Sequence, residues 1–352
     1  MNKKVFIVSI VTIMAGTAVY LLVSQRKKSN FARSSVNTIG ANWTTDNIPD
    51  LTGKVIIVTG ANSGIGFEAA KEFARKGAQT ILACRSMDKA QTALSQIQAE
   101  IPNAPVEIMQ LDLASLASVR QFAEDFKAKY DHLDVLVNNA GIMMVPYSTT
   151  EDGFERQFGT NHLGHFALTG LLLDLILKTP GSRVVNVSSS GHRMGSVDFD
   201  NLIYDGGNGY SPMRAYGRSK LANLLFTYEL QRRFEAAGVE AMALAAHPGS
   251  SSTNLGDHLS DHWYFKALSP VLLRLAQSSA MGALPTIRAA VDPNARGGEY
   301  YGPGGFMEQR GYPVTVQSNE ASHNEADARQ LWQVSEDLTS VDFGPLDPKR
   351  RQ

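Results

Sequence analysis

The sequence predicts an α/β chain, one doubly wound parallel-sheet domain preceded by a single N-terminal transmembrane helix. Three observations carry this. Short apolar runs of strand length alternate with helical stretches from Leu51 onward, a glycine-rich turn follows the first run, and an uncharged apolar segment with basic flanks opens the chain. Strands alternating with helices through short connections give a parallel sheet covered on both faces.

The first strand is read at Lys54-Val-Ile-Ile-Val58, an apolar run suited to burial on both faces. Thr59-Gly-Ala-Asn-Ser-Gly-Ile-Gly66 follows, and then a helix over 67–76 that Gly77 ends. Strand, glycine turn and helix together form a nucleotide loop. Glycines let the backbone approach a pyrophosphate, and the helix N-terminus supplies amides and partial positive charge. A bare glycine pattern would be an ordinary tight turn; this context favours the loop.

The second strand is Thr80-Ile-Leu-Ala-Cys-Arg85. An acid at its end would bond a ribose 2′-hydroxyl and select NAD, whereas an arginine suits a 2′-phosphate. The chain offers Cys84 and Arg85, with no acid until Asp88. Arg85 can make charge-assisted bonds to phosphate oxygens, so NADP(H) is favoured over NAD(H). The alternative is a solvent-facing arginine that begins the following helix.

The alternation continues with a strand over 106–112 and a helix over 119–130. A fourth strand over 133–138 runs into Asn138-Asn-Ala-Gly141, followed by a long helical stretch over 154–178. The fifth strand is Ser182-Arg-Val-Val-Asn-Val-Ser-Ser189, followed by a helix over 216–237 and a sixth strand over 239–247. Ligands of such sheets bind beyond the carboxyl ends of the strands. Gly60, Arg85, Asp112, Asn139, Ser189 and Pro248 all fall there. Asp112 also reads as a helix-start residue, and Asn138 as a tie between neighbouring strands.

Tyr216-Gly-Arg-Ser-Lys220 places a phenol and an ammonium one helical turn apart. A nearby cation would stabilise the phenolate and lower a pKa that is ordinarily about 10, tuning the tyrosine for acid–base work. By itself the pair is a common feature of solvated helices; its companions give it weight.

With these pieces in order the chain resembles the short-chain dehydrogenase/reductase superfamily, and within it the retinol dehydrogenase-like and related bacterial oxidoreductases. The resemblance runs from about Leu51 to a last strand near Tyr301, and less specifically to Leu338. It rests on the 59–66 loop, Asn138-Asn-Ala-Gly141, Asn161, Val-Asn-Val-Ser-Ser189, Tyr216-x-x-x-Lys220 and His247-Pro-Gly249. It implies a Rossmann-type fold and hydride transfer between nicotinamide and carbon, the protein supplying position and proton. Tyr216 would exchange a proton with the substrate oxygen and Ser189 would bond the same oxygen. Lys220 would lower the tyrosine pKa and bond the nicotinamide ribose. Asn161, in a helix kink, would keep a water linking Lys220 to solvent. Ser189 is taken over Ser188, whose side chain should point to the opposite strand face; Ser190 stays open if the strand has already ended.

The resemblance also implies the cofactor contacts. Gly60, Ser63, Gly64, Ile65 and Gly66 would cradle phosphates, and Asp112 and Leu113 would flank adenine. Asn139 and Ala140 would lie near the adenosine ribose, while Pro248, Gly249 and Thr253 would frame the nicotinamide. The long stretch between Ser189 and Tyr216 is read, with residues after Pro248, as substrate wall and lid. His192 within it reads as a surface loop histidine. His162 and His165 flank Asn161 without a third ligand, so no metal is expected. Rival readings are a nucleotide-binding regulator or scaffold without turnover, which would be expected to lose Tyr216 or Lys220, and a light-dependent protochlorophyllide reductase-like enzyme. The latter uses an active-site cysteine, and the single cysteine here is Cys84, at the cofactor end.

At the N-terminus, residues 5–23 form an uncharged, mostly apolar run between Lys3-Lys4 and Arg26-Lys-Lys28. As a helix it would span roughly 28 Å, about the hydrocarbon thickness of a bilayer. A cleaved signal peptide is the alternative, with a shorter apolar core and a small-residue cleavage site. The denser basic flank on the C-terminal side orients the catalytic domain toward the cytoplasm. The expected organisation is an anchor over 1–28, a linker over 29–50, a catalytic domain over 51–345 and a tail over 346–352. One cysteine excludes intrachain disulfides, in keeping with a reducing compartment. A net charge of −1 gives no electrostatic case for nucleic acid. Expected partners are an apolar alcohol or carbonyl substrate and a membrane, and the long helices over 154–178 and 216–237 suit the homodimer face of many relatives.

Overall fold

In the computed structural model residues 42–250 and 277–346 are described. The anchor over 1–28, most of the linker, Thr253 and the tail beyond Leu346 lie outside them. Among the described residues no helix is long and apolar enough to cross a membrane.

The apolar runs become β1 (Val55–Thr59), β2 (Gln79–Cys84), β3 (Val106–Gln110), β4 (Val135–Asn138), β5 (Arg183–Val187) and β6 (Met242–Ala246), followed by β7 (Tyr300–Pro303) and β8 (Pro313–Thr315). They lie in one sheet in the order β3-β2-β1-β4-β5-β6-β7-β8. Every pairing is parallel until β8, which runs antiparallel to β7. The chain turns back at β1, so β1 and β4 are neighbours and a crevice opens beyond their carboxyl ends.

Successive side chains of a strand face opposite ways, and β1 divides accordingly. Ile56 and Val58 pack with Ala69, Ala70 and Phe73 of α1 (Gly64–Arg75) and with Ala90 and Ile97 of α2 (Met87–Glu100). Val55 and Ile57 pack on the other face with Phe122 and Phe126 of α3 (Leu116–Lys129). Trp43 and Ile48, ahead of the first strand, join the α1 layer. The helix after β2 had no bounds in the sequence reading. Ser86 caps it, its hydroxyl accepting from Lys89 N at 3.4 Å, so Arg85 lies between the end of β2 and the helix and does not start it.

The expected continuous helix over 154–178 is broken. It consists of α4 (Arg156–Phe158), a π-turn (Gly159–Leu163), α5 (Gly164–Leu171) and α6 (Leu173–Lys178). Side chains compete with the backbone here: the Thr169 hydroxyl donates to His165 O at 2.7 Å, and the His165 ring contacts Asn161 O at 3.0 Å. Glu155, wholly buried, caps the first turn by accepting from Gln157 N and Phe158 N at 2.8 and 2.7 Å. Asn161 lies inside the π-turn, a feature that recurs at functional sites.

Helix α7 (Pro212–Ala237) starts one turn before Tyr216, at a proline whose fixed φ suits a first helical position. After the cross-strand helix α8 (Ser279–Val291), β8 and α9 (Glu325–Thr339) extend the fold beyond the last strand read from the sequence. Trp332 of α9 packs on Phe166, Phe226 and Phe343, with ring centroids 5.3, 5.7 and 4.6 Å away.

Candidate active site

The cleft follows from the turn after β1. Gly60 has φ +65°, open to glycine without strain, and donates its N–H to Ala83 O at 2.8 Å. A Cβ on Gly66 would overlap the Asn139 amide, so this glycine lets the loop lie against the end of β4. Thr59 pins the two together: its Oγ1 accepts from Asn139 N and Ala140 N, both at 2.9 Å. Ser63 caps α1 without a side-chain hydrogen bond to the helix. Its hydroxyl and the first amides of α1 therefore remain for an anion.

Gly60, Ser63, Gly64, Ile65, Gly66, Arg85, Asp112, Leu113, Asn139, Ala140, Tyr216, Lys220 and Pro248 line one cleft of about 330 Å³. Gly249 is outside this lining; it turns with φ +63° against Gln309 and Pro303. Asp112 does not start α3. Ser115 holds that position, while Asp112 accepts from Ala114 N at 2.9 Å in a local turn. Asn138 ties strands, as its second reading had it, donating to Asn186 Oδ1 at 2.9 Å and Thr169 Oγ1 at 3.1 Å.

Among the lining residues that went unread are Ser86, Lys89 and Thr160. Lys89 stands one turn beyond Arg85 at the start of α2, so a reading of that helix would have found a second cation at the same end of the cleft. The cleft thus offers helix amides and a hydroxyl at its middle and two cations at one end. That donor set fits a dinucleotide.

At the other end stands Tyr216, on α7 beneath β5. Ser188 and Ser189 diverge as strand alternation requires. Ser188 Oγ donates backward to Lys220 O at 2.9 Å, while Ser189 Oγ accepts from Gly191 N at 3.1 Å and lies beside the phenol. A Cβ on Gly191 would come within 3.0 Å of the Tyr216 ring, so the turn after Ser189 rests on it. Lys220 Nζ donates to Val187 O at 3.0 Å and sits 5.8 Å from the Tyr216 ring centroid. Asn161 Oδ1 accepts from Ile142 N at 2.8 Å, and its Nδ2 donates to Ile142 O at 2.9 Å and Ser219 Oγ at 3.0 Å.

The electrostatics differ from the expectation that Lys220 lowers the tyrosine pKa. Burial raises the Tyr216 phenol above its ordinary value, with the Ser189 hydroxyl pulling the other way. Burial also pushes the Lys220 ammonium down to about 8. A water-poor pocket penalises both charges. Tyr216 is therefore protonated at neutral pH.

The lysine shift carries a stability consequence. Its folded pKa lies below its unfolded one, so the unfolded chain binds more protons between about pH 8 and 10.4, and stability should rise with pH across that window. Below it, holding the ammonium costs about 3 kcal/mol. Lys220→Met should unfold at higher temperature than wild type at pH 7, with the gap narrowed by more than half at pH 9.5. An equal gap at both pH values would show that the effect is packing.

His192 corrects another reading. It is buried, not a surface residue, with Nδ1 at 2.6 Å from Ser189 O and Nε2 accepting from Asn319 N at 3.3 Å. The stretch around it is tied down by Arg218, which donates to Ser196 O, Asn201 O and Leu202 O at 3.1, 2.6 and 2.8 Å. His162 and His165 bond Ser335 Oγ and Thr59 Oγ1 at 3.0 and 2.9 Å. Among the described residues no three potential ligands gather to hold a metal.

Residues 54–201 match the short chain dehydrogenase family. Human retinol dehydrogenase 13 is 42% identical over 297 residues, 83% of this chain and 86% of its own. The chain belongs to the short-chain dehydrogenases, in their retinol dehydrogenase-like branch. Other relatives of this short-chain dehydrogenase include retinol dehydrogenase 11 from Mus musculus, 44% identical over 83% of this chain and 88% of its own. Human WW domain-containing oxidoreductase is 44% identical over 84% of this chain and 70% of its own. Among solved structures, a protein from Mycobacterium paratuberculosis superposes with a TM-score of 0.71 at 42% identity, over 86% of this chain and 99% of that one. A short chain dehydrogenase from Shigella flexneri complexed with NADP has a TM-score of 0.55 at 25% identity, over 71% and 97% of the two chains. The protein is thus an oxidoreductase of a family that binds nicotinamide cofactors.

Proposed function

We propose that this dehydrogenase uses NADP(H) to interconvert an apolar carbonyl compound and its alcohol, a retinoid, lipid or other small aldehyde or ketone, and in the cell runs toward reduction. The observation carrying the proposal is the cleft itself, with Arg85 and Lys89 at one end and Tyr216 and Lys220 at the other, Ser189 standing beside the phenol. Bound NADP(H) supplies or accepts the hydride. Arg85 and Lys89 take the 2′-phosphate, and Ser63 with the first amides of α1 takes the pyrophosphate. Asp112, Leu113, Asn139 and Ala140 hold the adenosine half, and Pro248 stands at the nicotinamide end.

Ser189 donates a hydrogen bond to the substrate oxygen and fixes it beside Tyr216. The phenol, protonated at neutral pH, gives its proton to that oxygen as the carbonyl is reduced, and regains one through Lys220. In the reverse direction the same phenol oxygen receives it. Asn161 holds the Gly141–Ile142 turn against Lys220 and keeps the water that links the lysine to solvent. An apolar substrate agrees with the retinol dehydrogenase names of the relatives and with the apolar run over 5–23, which would anchor the chain in a membrane with its catalytic domain toward the cytoplasm.

The experiment is NADPH oxidation by the full chain in detergent against apolar aldehydes and ketones, retinal among them, with NADH alongside. Turnover favouring NADPH is the expected result. NADPH bound tightly with no carbonyl reduced would turn the reading to a nucleotide-binding regulator.

A further inference from the structure

His165 has a place in the site that the proton-transfer scheme does not use. It is 2% exposed on α5, between the loop after β1 and the π-turn. Its Nε2 lies 2.9 Å from Thr59 Oγ1, and its Nδ1 lies 3.0 Å from Asn161 O. The protons can be assigned from both ends. Thr59 Oγ1 already accepts from Asn139 N and Ala140 N, so it must donate its own proton, to His165 Nε2 at 2.9 Å or to Val137 O at 3.4 Å. The nearer acceptor takes it. A neutral imidazole that accepts at Nε2 carries its proton on Nδ1, where it donates to Asn161 O. The opposite tautomer would set the Nδ1 lone pair against a carbonyl oxygen. Burial pushes the ring pKa down to about 4, and the Lys220 charge acts in the same direction, so the ring is neutral.

We propose that His165 is a positioning residue: as the Nδ1-protonated tautomer it ties Thr59, and with it the Asn139–Ala140 cofactor wall, to the carbonyl of Asn161. One polar chain would then set the place of the bound nucleotide and of the π-turn beside Lys220. This rests on the reading of Asn161 and Lys220 as parts of the reaction centre. The two ends are separable by substitution. His165→Asn leaves a short amide donor for Asn161 O that cannot reach Thr59, whereas His165→Gln reaches Thr59 and abandons Asn161 O.

The test uses the full chain in detergent with ¹⁵N-labelled histidine. At pH 7, two-bond ¹⁵N–¹H spectra, assigned by the signal lost in His165→Asn, should show His165 protonated at Nδ1 in the absence of cofactor. The dissociation constant of NADPH, read from its fluorescence, should rise about tenfold in His165→Asn and stay within threefold in His165→Gln, as one hydrogen bond is worth. For kcat the order reverses, with about a tenfold loss in His165→Gln and little in His165→Asn. An Nε2-protonated ring, or the two variants moving affinity in the same ratio, would overturn the proposal. Should wild type reduce no carbonyl, the reading of the reaction centre fails, while the tautomer and the affinity split still decide the role of His165.

Discussion

Tyr216→Phe should lower kcat about 10²–10⁴-fold, the range of a lost general acid, while NADPH binds as it does to wild type. The phenol is 6% exposed and its nearest hydroxyl is Ser189. Removing the oxygen leaves the substrate oxygen with a hydrogen-bond donor but no acid. Ser189 cannot replace it, since a serine hydroxyl is a far weaker acid. The ring itself keeps its packing, so affinity and melting temperature should hardly move. Single-turnover reduction and NADPH fluorescence on the same preparation separate the two effects. A variant retaining more than a tenth of wild-type turnover would remove Tyr216 from the proton transfer.

The pH dependence of that turnover follows from burial more than from the Tyr–Lys spacing. A phenol held above its ordinary pKa is fully protonated at pH 7, which suits a proton donor. Lys220, pushed down to about 8, loses its charge in a range where most lysines keep theirs. The spacing of the two residues was legible in the sequence; the dielectric around them was not, because it is made by β5, the turn at Gly191 and the Gly141–Ile142 segment, which meet only in the fold.

The same distinction runs through the rest of the molecule. The β1–loop–α1 unit could be read because each part has a local signature: an apolar run, glycines at fixed offsets and a periodic helix. Asn161 and the Ser189–Tyr216–Lys220 set could be placed by resemblance. The broken helix over 154–178 could not, since apolar periodicity registers neither the π-turn at Gly159–Leu163 nor the break at Leu172. His192 was misplaced on the surface for a similar reason. A polar ring in a glycine-rich stretch reads as solvent-facing until Ser189 O and Asn319 N satisfy both its nitrogens. β8 escaped notice because it is three residues long, begins with proline and lies at the sheet edge, where proline removes no ladder hydrogen bond.

Arg85→Asp should raise the KM for NADPH about 100-fold while leaving that for NADH within a few-fold, since it exchanges a charge-assisted phosphate contact for like-charge repulsion. Arg85 stands beyond the last residue of β2, in the cleft with Ser86 and Lys89. An acid there would meet the ribose 2′-hydroxyl as a hydrogen-bond acceptor and the 2′-phosphate as an opposing charge. Lys89 sets the size of the effect. A lysine at the same end retains some attraction for the phosphate, so Lys89→Ala alone should cost NADPH affinity modestly. The pair of changes together should exceed either one. Salt supplies the control: contacts between exposed charges and phosphate weaken as ionic strength rises, whereas binding at the nicotinamide end does not. Wild-type preference for NADPH should therefore narrow between low and high salt, and the discrimination of Arg85→Asp against NADPH should weaken as its repulsion is screened. If wild type already used the two cofactors equally, the arginine would be an ordinary surface residue between β2 and α2, and the tyrosine argument would stand without it.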